Sequence, residues 1–140
     1  MIEFTLSLTF LIPLFLGLWS FGYSFFQYSE LENAVRSGAR YASLQTYDSA
    51  SATPSSAFLT AVQKATVYGD PAADTSSATP VVAGLNTSNV KLTVTFTSTG
   101  APSAMTVSIT GFVLKTYVGS VTLNNKPYVW FPYLGTFGPP

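Results

Sequence analysis

The first long segment of the chain carries no charge, and this feature limits the possible folds more than any other. Between Glu3 and Glu30, residues 4–29 contain neither an acid nor a base. As a helix, this run would be about 39 Å long, whereas about 20 apolar residues suffice to cross a bilayer. It is longer than the apolar region of a secretory signal, and no small-residue cleavage site follows it. We therefore expect a helix that is inserted in a membrane at some stage.

Two residues distinguish this run from a plain membrane anchor. Glu3 lies at the tip, where the helix dipole favours a negative charge. It is either an ordinary first-turn acid or the partner of a positive group in an apolar bundle, such as the free amine of a neighbouring chain. Pro13 lies inside the run and removes one backbone hydrogen bond. Because membrane helices tolerate such prolines, we predict a kink and not a break.

The chain shows no Lys or Arg ahead of the apolar run. Membrane segments normally carry basic residues on their cytoplasmic side. Two explanations are open: the chain is a mature form whose basic leader has been removed, or Met1 is the initiator and the downstream arginines set the orientation.

The helical pattern continues beyond the apolar run, because residues 27–45 contain no Pro and keep helical spacing. Glu32 and Arg36 are four residues apart in the order that stabilises a helix, and Arg40 extends the same stripe. We predict that these three residues make ion pairs between subunits or between the helix and the rest of the chain. A continuous helix of about 45 residues would be roughly 65 Å long, far more than an anchor requires.

Small residues recur at every fourth position of the second half, at Ala34, Gly38 and Ala42. Such a row lets another backbone approach closely, whether it belongs to a helix or to a sheet. We expect the sheet of the C-terminal head to pack on this face.

The remainder of the chain predicts a short helix and an antiparallel sheet. Residues 47–56 have the composition of a linker, and the following segment, 57–69, has helical spacing with Ser55 or Ser56 as its cap. Residues 70–80 are small and polar and predict a loop. The period then changes to two over residues 90–96, which indicates a half-buried strand.

A second alternating run at residues 105–109 follows a turn at 99–102, so the two runs predict a β-hairpin. Residues 112–123 continue as strand, and the Asn-Asn-Lys-Pro segment at 124–127 predicts another turn. The aromatic segment at 128–133 is either a terminal strand that closes the core, or a subunit contact or adhesive surface.

Composition excludes several classes of function. The chain has no His and no Cys, which removes histidine triads, thiol catalysis and the common zinc and haem ligands. Six bases balance six acids, so no electrostatic signal for nucleic acid exists. Asp70 and Asp74 are a weak calcium signal, and the acids Glu30 and Glu32 fall among the charges of a helix. We expect no enzyme activity, cofactor, metal or nucleic-acid partner.

Asn86 begins an Asn-Thr-Ser sequon and is a candidate glycosylation site.

The first 45 residues resemble the TadE-like family of pilin-related proteins from tight-adherence secretion systems. The resemblance is carried by Ile2-Glu3-Phe4, Pro13, Gly17, Asn33-Ala34-Val35-Arg36, Gly38-Ala39-Arg40 and Tyr41-Ala42. It implies a type IV pilin-like fold, a precursor in the inner membrane, processing by a prepilin peptidase and contact with pilus assembly machinery. It also implies that Glu3 acts in assembly.

These observations predict an α+β protein whose long, kinked N-terminal helix packs against a small antiparallel sheet. The expected helical unit is 1–46, divided into an apolar part, 1–29, and an amphipathic part, 30–46; the head is 47–140. The expected function is that of a pilin that polymerises with itself into an extracellular filament. One alternative is a minor pseudopilin that stays in the membrane and primes or regulates assembly. Another is a membrane-anchored binding module.

Overall fold

One long helix and a three-stranded sheet define the architecture, which a computed structural model describes over residues 2–49, 53–116 and 119–136. The elements, in chain order, are α1 (Ile2–Leu44), α2 (Ser56–Tyr68), a 3-10 turn (Thr87–Asn89), β1 (Val90–Phe96), β2 (Pro102–Lys115) and β3 (Ser120–Pro132). The sheet is antiparallel with the order β1-β2-β3. The predicted α+β class, with a long N-terminal helix against a small antiparallel sheet, is therefore confirmed.

Helix α1 is continuous through Pro13 and ends at Leu44. Pro13 has no N–H to donate to the carbonyl four residues earlier, but the turns on either side keep their helical form. The absence of a break at this proline agrees with the prediction, and the helix ends two residues before the expected position 46.

Helix α2 is held at both ends by local chemistry. The Ser55 hydroxyl accepts a hydrogen bond from the Phe58 amide at 3.1 Å, so Ser55 and not Ser56 is the cap. Gly69 ends the helix with a φ of 75°, a left-handed conformation that glycine adopts without steric cost. The sequence therefore predicted this helix and its end correctly.

The first hairpin matches the expected alternation. Val90 pairs with Ile109 and Val94 with Met105, so the apolar side chains of β1 and β2 share one face of the sheet. The strands are joined through a turn in which Thr97 N–H donates to the Ala101 carbonyl at 2.8 Å.

The prediction of a turn at residues 124–127 is wrong. Strand β3 continues through this segment, and the register changes there: Thr110 pairs with Asn124, whereas Ser108 pairs with Tyr128. The extra residues form a bulge in which Asn125 has a φ of 60° and accepts a hydrogen bond from the Ser108 hydroxyl at 2.9 Å. Residues that are typical of turns thus form a bulge in an edge strand. A proline is tolerated there because it has no N–H to donate to a neighbouring strand.

The aromatic segment that follows the bulge belongs to β3 up to Pro132. Val129 and Phe131 pack against the core, whereas Tyr128 and Trp130 on the other face are exposed. The terminal-strand interpretation is therefore correct for one face of this strand.

The core lies between the second half of α1, helix α2 and the inner face of the sheet. Its fully buried side chains are apolar residues from all three layers, which remove apolar area from water. They include Leu31, Val35, Ala39 and Ala42 of α1, Val62 and Val67 of α2, and Met105, Val107 and Ile109 of β2.

Gly38 contacts helix α2, whereas the sequence predicted that the sheet packs on the face that carries Ala34, Gly38 and Ala42. A Cβ atom at Gly38 would lie 1.9 Å from Oγ1 of Thr66 and 3.3 Å from its Cα. The hydroxyl of Thr66 is fixed in this buried position because it donates to the Val62 carbonyl at 2.8 Å. Glycine is therefore required for the close approach of the two helices.

Tyr47 is fully buried, although its surrounding segment has the composition of a linker. Its ring meets those of Phe58 and Phe96 edge-on, with centroids 5.8 Å away in each case. Its amide donates to the Tyr133 hydroxyl at 2.8 Å. The buried ring of Tyr47 therefore anchors the segment after α1 in the head.

Candidate assembly surface

The first half of α1 exposes apolar side chains on every side. Phe10 and Phe21 are each 73% exposed and Leu18 is 71% exposed, and among residues 2–29 only Ser20 is buried. A helix that is apolar all round is normally covered by lipid or by other protein. By length and composition, α1 is the one helix of the described chain that is apolar enough to cross a membrane.

Glu3 lies in the first turn of this apolar half and is exposed. The hydroxyl of Ser7 donates to its main-chain carbonyl at 2.9 Å. Within the described residues, the carboxylate of Glu3 forms no ion pair in the single chain. A positive partner for this acid is therefore not found among the described residues, and the role of Glu3 in assembly is still a prediction.

Two glycines leave open space on the apolar half. A Cβ atom added at Gly17 or Gly22 would have no atom of another residue within 4 Å. Around Gly22, the rings of Phe15, Trp19 and Tyr23 border an apolar groove of about 430 Å³. The groove is large enough to receive an apolar side chain of another helix or part of a lipid chain.

The charged stripe lies on the exposed side of the second half of α1. Arg36 donates to the Glu32 carboxylate at 2.5 Å, one turn along the helix. Arg40 is exposed, forms no ion pair within the described part of the chain, and borders a groove with Tyr41 and Phe131. The single chain thus pairs Glu32 with Arg36 and leaves Arg40 available to a second molecule.

Of the small-residue row, Ala34, Gly38 and Ala42 are all buried by the head. They lie inside the single chain, so they support the joint between α1 and the head. A role for them in contacts between chains is still a prediction.

Asn86 is exposed and precedes the 3-10 turn. Its side-chain amide donates to the Gly84 carbonyl at 3.5 Å, which is a weak bond, and its main-chain amide donates to Oδ1 of Asn89 at 3.1 Å. The side chain is accessible to a modifying enzyme, and glycosylation there is still a prediction.

The carboxylates of Asp70 and Asp74 each stabilise a local turn. Asp70 accepts from the amide of Ala72 at 2.9 Å, and Asp74 accepts from the amide and the hydroxyl of Ser76 at 3.0 and 2.9 Å. The bonds from the Ser76 amide and hydroxyl lower the pKa of Asp74. Within the described ranges, no three His, Cys, Asp or Glu residues form a cluster that could hold a metal ion.

The sequence pattern did not reveal a cavity of about 590 Å³ between α1 and the head. It is lined by Tyr23 and Gln27 of α1 and, on the head, by residues that include Gly84, Gly111 and Lys115. No periodicity or motif connects these positions, which are up to 92 residues apart in sequence. Only the packing of the head beside α1 brings them together.

A long helix with an uncovered apolar half and a small β head is the architecture expected of a pilin-like membrane protein. A family model described as TadE-like protein matches residues 1–40. This match confirms the resemblance read from the first 45 residues, and it covers nearly all of α1 but none of the head. No curated protein and no solved structure matches the chain.

Proposed function

We propose that this protein is a structural subunit of a Tad-type pilus, which polymerises with copies of itself through the first half of α1. The observation that carries the proposal is the contrast within one helix: one face of residues 31–43 is buried against the head, whereas the large apolar side chains of residues 2–29 are exposed. A surface of this size and composition requires a partner.

Before assembly, the partner of the apolar half is the membrane. About 20 apolar residues cross a bilayer, so the segment is long enough to span it and keep the head outside. In the filament, the same side chains contact the helices of neighbouring subunits, so ring and aliphatic contacts replace those with lipid. Grooves such as the one around Gly22 favour this exchange, because they accept apolar side chains of another helix.

Glu3 sets the register of the subunits in this proposal. Its carboxylate neutralises the amine of a neighbour inside the apolar bundle, where an unpaired charge costs several kcal/mol. A subunit in the wrong register leaves both charges without a partner, so only the correct position is stable. Arg40, which lacks an ion pair within the described residues, is available for a contact closer to the outside of the filament.

Electron microscopy of material sheared from the cell surface tests the proposal, together with mass spectrometry of its main protein. We expect long filaments composed chiefly of this chain. Glu3→Gln should abolish them or reduce their number at least tenfold, since several kcal/mol are lost at every contact. The matched control is Glu30→Gln at the other end of the uncharged run, which should leave filaments intact.

The similarity of residues 1–40 to TadE-like proteins favours one second candidate, a minor pseudopilin that stays in the membrane and primes or regulates assembly. The two candidates predict different abundance. A chain that stays in the membrane fraction, and is present in filaments at a few copies or none, would contradict the main-subunit proposal and favour the pseudopilin.

A further inference from the structure

On the head side, the cavity between α1 and the head is lined by two glycines with positive φ angles. Gly84 has a φ of 86° and Gly111 a φ of 70°, both in the left-handed region that favours glycine. Gly111 lies within β2, where the pairing with β3 shifts register between Thr110 and Phe112. The irregularity at Gly111 therefore shapes one wall of the cavity, and Tyr23 and Gln27 of α1 form the opposite wall.

The position of the cavity along α1 coincides with the expected surface of the membrane. If the hydrocarbon region begins at Phe4, about 20 helical residues bring its other side to Tyr23. Tyrosine is enriched at this level of membrane proteins, where its ring is in contact with lipid and its hydroxyl with water. With the hydrocarbon region placed in this way, the cavity is at the depth of the lipid headgroups.

The end of the β2–β3 hairpin adds a second indication of lipid at this level. Val113, which lines the cavity, is 42% exposed, and Val121 on the neighbouring strand is 58% exposed. Lys115 follows at the end of β2. A lysine can lay its aliphatic stem along apolar surface and keep its ammonium in water, so this end of the hairpin suits contact with the membrane surface.

The polar groups of the cavity suit an anion that also carries a hydrogen-bond donor. Lys115 is the one charged residue among the described residues that line the cavity, and no carboxylate accompanies it. Gln27 donates to the Tyr23 hydroxyl at 3.2 Å, whereas its buried Oε1 has no partner among the described residues. Buried acceptors normally have a donor, so a small rotation of this amide would offer an acceptor to a ligand.

We propose that the cavity binds the headgroup of a membrane phospholipid: the Lys115 ammonium donates to the phosphate, and Gln27 accepts from a hydroxyl or ammonium of the headgroup. This site would fix the height and rotation of the head relative to the membrane before assembly. The inference rests on the membrane-inserted state of the proposed function.

Solid-state NMR of the full chain in phosphatidylglycerol bilayers tests this contact, with ¹⁵N at the lysine Nζ atoms and ³¹P dephasing from the lipid. We expect dephasing of the Lys115 signal and its loss in Lys115→Gln. The matched control is Lys91→Gln on the sheet, seven residues from Lys115 along the pairing of β2, roughly 20 Å away. Dephasing should be unchanged in this control.

A second variant separates the cavity from simple proximity to the membrane. Ala83 is an exposed residue that lines the cavity, so Ala83→Phe should obstruct it without disturbing the core. We expect this variant to lose the dephasing although Lys115 is present. If dephasing persists with the cavity obstructed, or if Lys115→Gln does not change it, the proposed site is wrong.

The source of the phosphate and the state of the protein are tested separately. In maltoside micelles that contain no phospholipid, inorganic phosphate alone should produce no dephasing; if it does, the cavity is a site for free phosphate and the lipid assignment fails. Retention of the chain in bilayers after an alkaline wash measures insertion of α1. Retention without a Lys115 contact contradicts only the headgroup site, whereas release from the bilayer contradicts the membrane-inserted state itself.

Discussion

The two halves of α1 belong to one uninterrupted helix but have opposite surroundings. In the first half the large apolar side chains are exposed, whereas in the second half Leu31, Val35 and Ala39 are fully buried. The residues also differ in size: rings and leucines dominate the first half, and small residues recur in the second. Bulky side chains around the whole helix suit a partner that adapts, such as lipid or other helices, whereas small residues permit one fixed and close neighbour.

Two glycines make this comparison directly testable. A Cβ atom at Gly22 would meet open space, whereas one at Gly38 would collide with Thr66 of α2. The same change should therefore destabilise the head in the second half of α1 and leave it unchanged in the first half. The predictions below are ordered from the largest expected effect to the smallest.

Gly38→Leu should lower the free energy of unfolding of the head by about 3 kcal/mol or more, because the new side chain forces α2 away from α1. The matched variant Gly22→Leu should leave the head unchanged, because the new side chain meets open space. Leucine also favours the helix by roughly 0.8 kcal/mol over glycine. Thermal unfolding in mild detergent measures both. Equal unfolding temperatures for the two variants would contradict the packing of α1 on α2.

Tyr133→Phe should destabilise the head by about 2 kcal/mol, because it removes a hydroxyl that joins the end of α1 to the C-terminal segment. This hydroxyl accepts from the Tyr47 amide at 2.8 Å and donates to the Gln45 carbonyl at 2.9 Å. Tyr128→Phe is the control, since Tyr128 is exposed on the outer face. Equal denaturant midpoints for the two variants would be inconsistent with this role.

The same tyrosine predicts a loss of stability at high pH. Burial raises the pKa of Tyr133 above its ordinary value of 10.0, and this outweighs the opposite effect of the Tyr47 amide. The neutral form is therefore favoured in the folded state, so the stabilisation is complete below the ordinary pKa and is lost as the pH rises through the raised pKa. Unfolding followed between pH 8 and pH 12 should show a smaller decrease in Tyr133→Phe than in the parent chain.

Ser55→Ala should cost about 1 kcal/mol, because the Phe58 amide loses its capping acceptor. Ser56→Ala is the matched control, and it should have an effect near zero, since Ser56 lies within the first turn and is not the cap. Chemical denaturation of the two variants measures the difference. A larger loss in Ser56→Ala would mean that the cap is assigned to the wrong residue.

Glu32→Gln should change the stability of the single chain by only about 0.3 kcal/mol, because its pair with Arg36 is exposed to solvent. The effect should diminish further in high salt, where exposed pairs are screened. A loss above 1 kcal/mol in the monomer would show that the boundary between the two halves depends on this pair.

Local patterns predicted most of the elements. The uncharged run, the spacing of α1, the end of α2 and the alternation of β1 each depend on neighbours within a few residues, and all were identified correctly; the cap of α2 was narrowed to Ser55 or Ser56, of which Ser55 is the cap. The turn expected at residues 124–127 was wrong because Asn and Pro suit both turns and edge-strand bulges. Sequence spacing alone does not reveal which of the two forms, since the bulge depends on pairing with a strand about 15 residues away.

The sequence also showed part of the surface on which the candidate assembly residues lie, although their role in assembly is still a prediction. The uncharged run bounded by Glu3 and Glu30 is visible in the sequence, as is the small-residue row in the second half of α1. The neighbour of Gly38 was not, because a small residue permits a close approach without specifying which element approaches. Tyr47 was also missed, since its burial depends on two rings from distant segments, Phe58 and Phe96.

The sequence by itself determined that this protein has a membrane-length apolar helix, an amphipathic continuation and a small β head. These properties follow from hydrophobicity and local backbone preference, which act over short distances along the chain. Only the tertiary structure decided that α2 lies against Gly38, that Tyr133 joins the end of α1 to the C-terminal segment, and that a cavity with Lys115 lies beside Tyr23. Such contacts bring together residues that are far apart in sequence, and the stability of each depends on the shape of both partners.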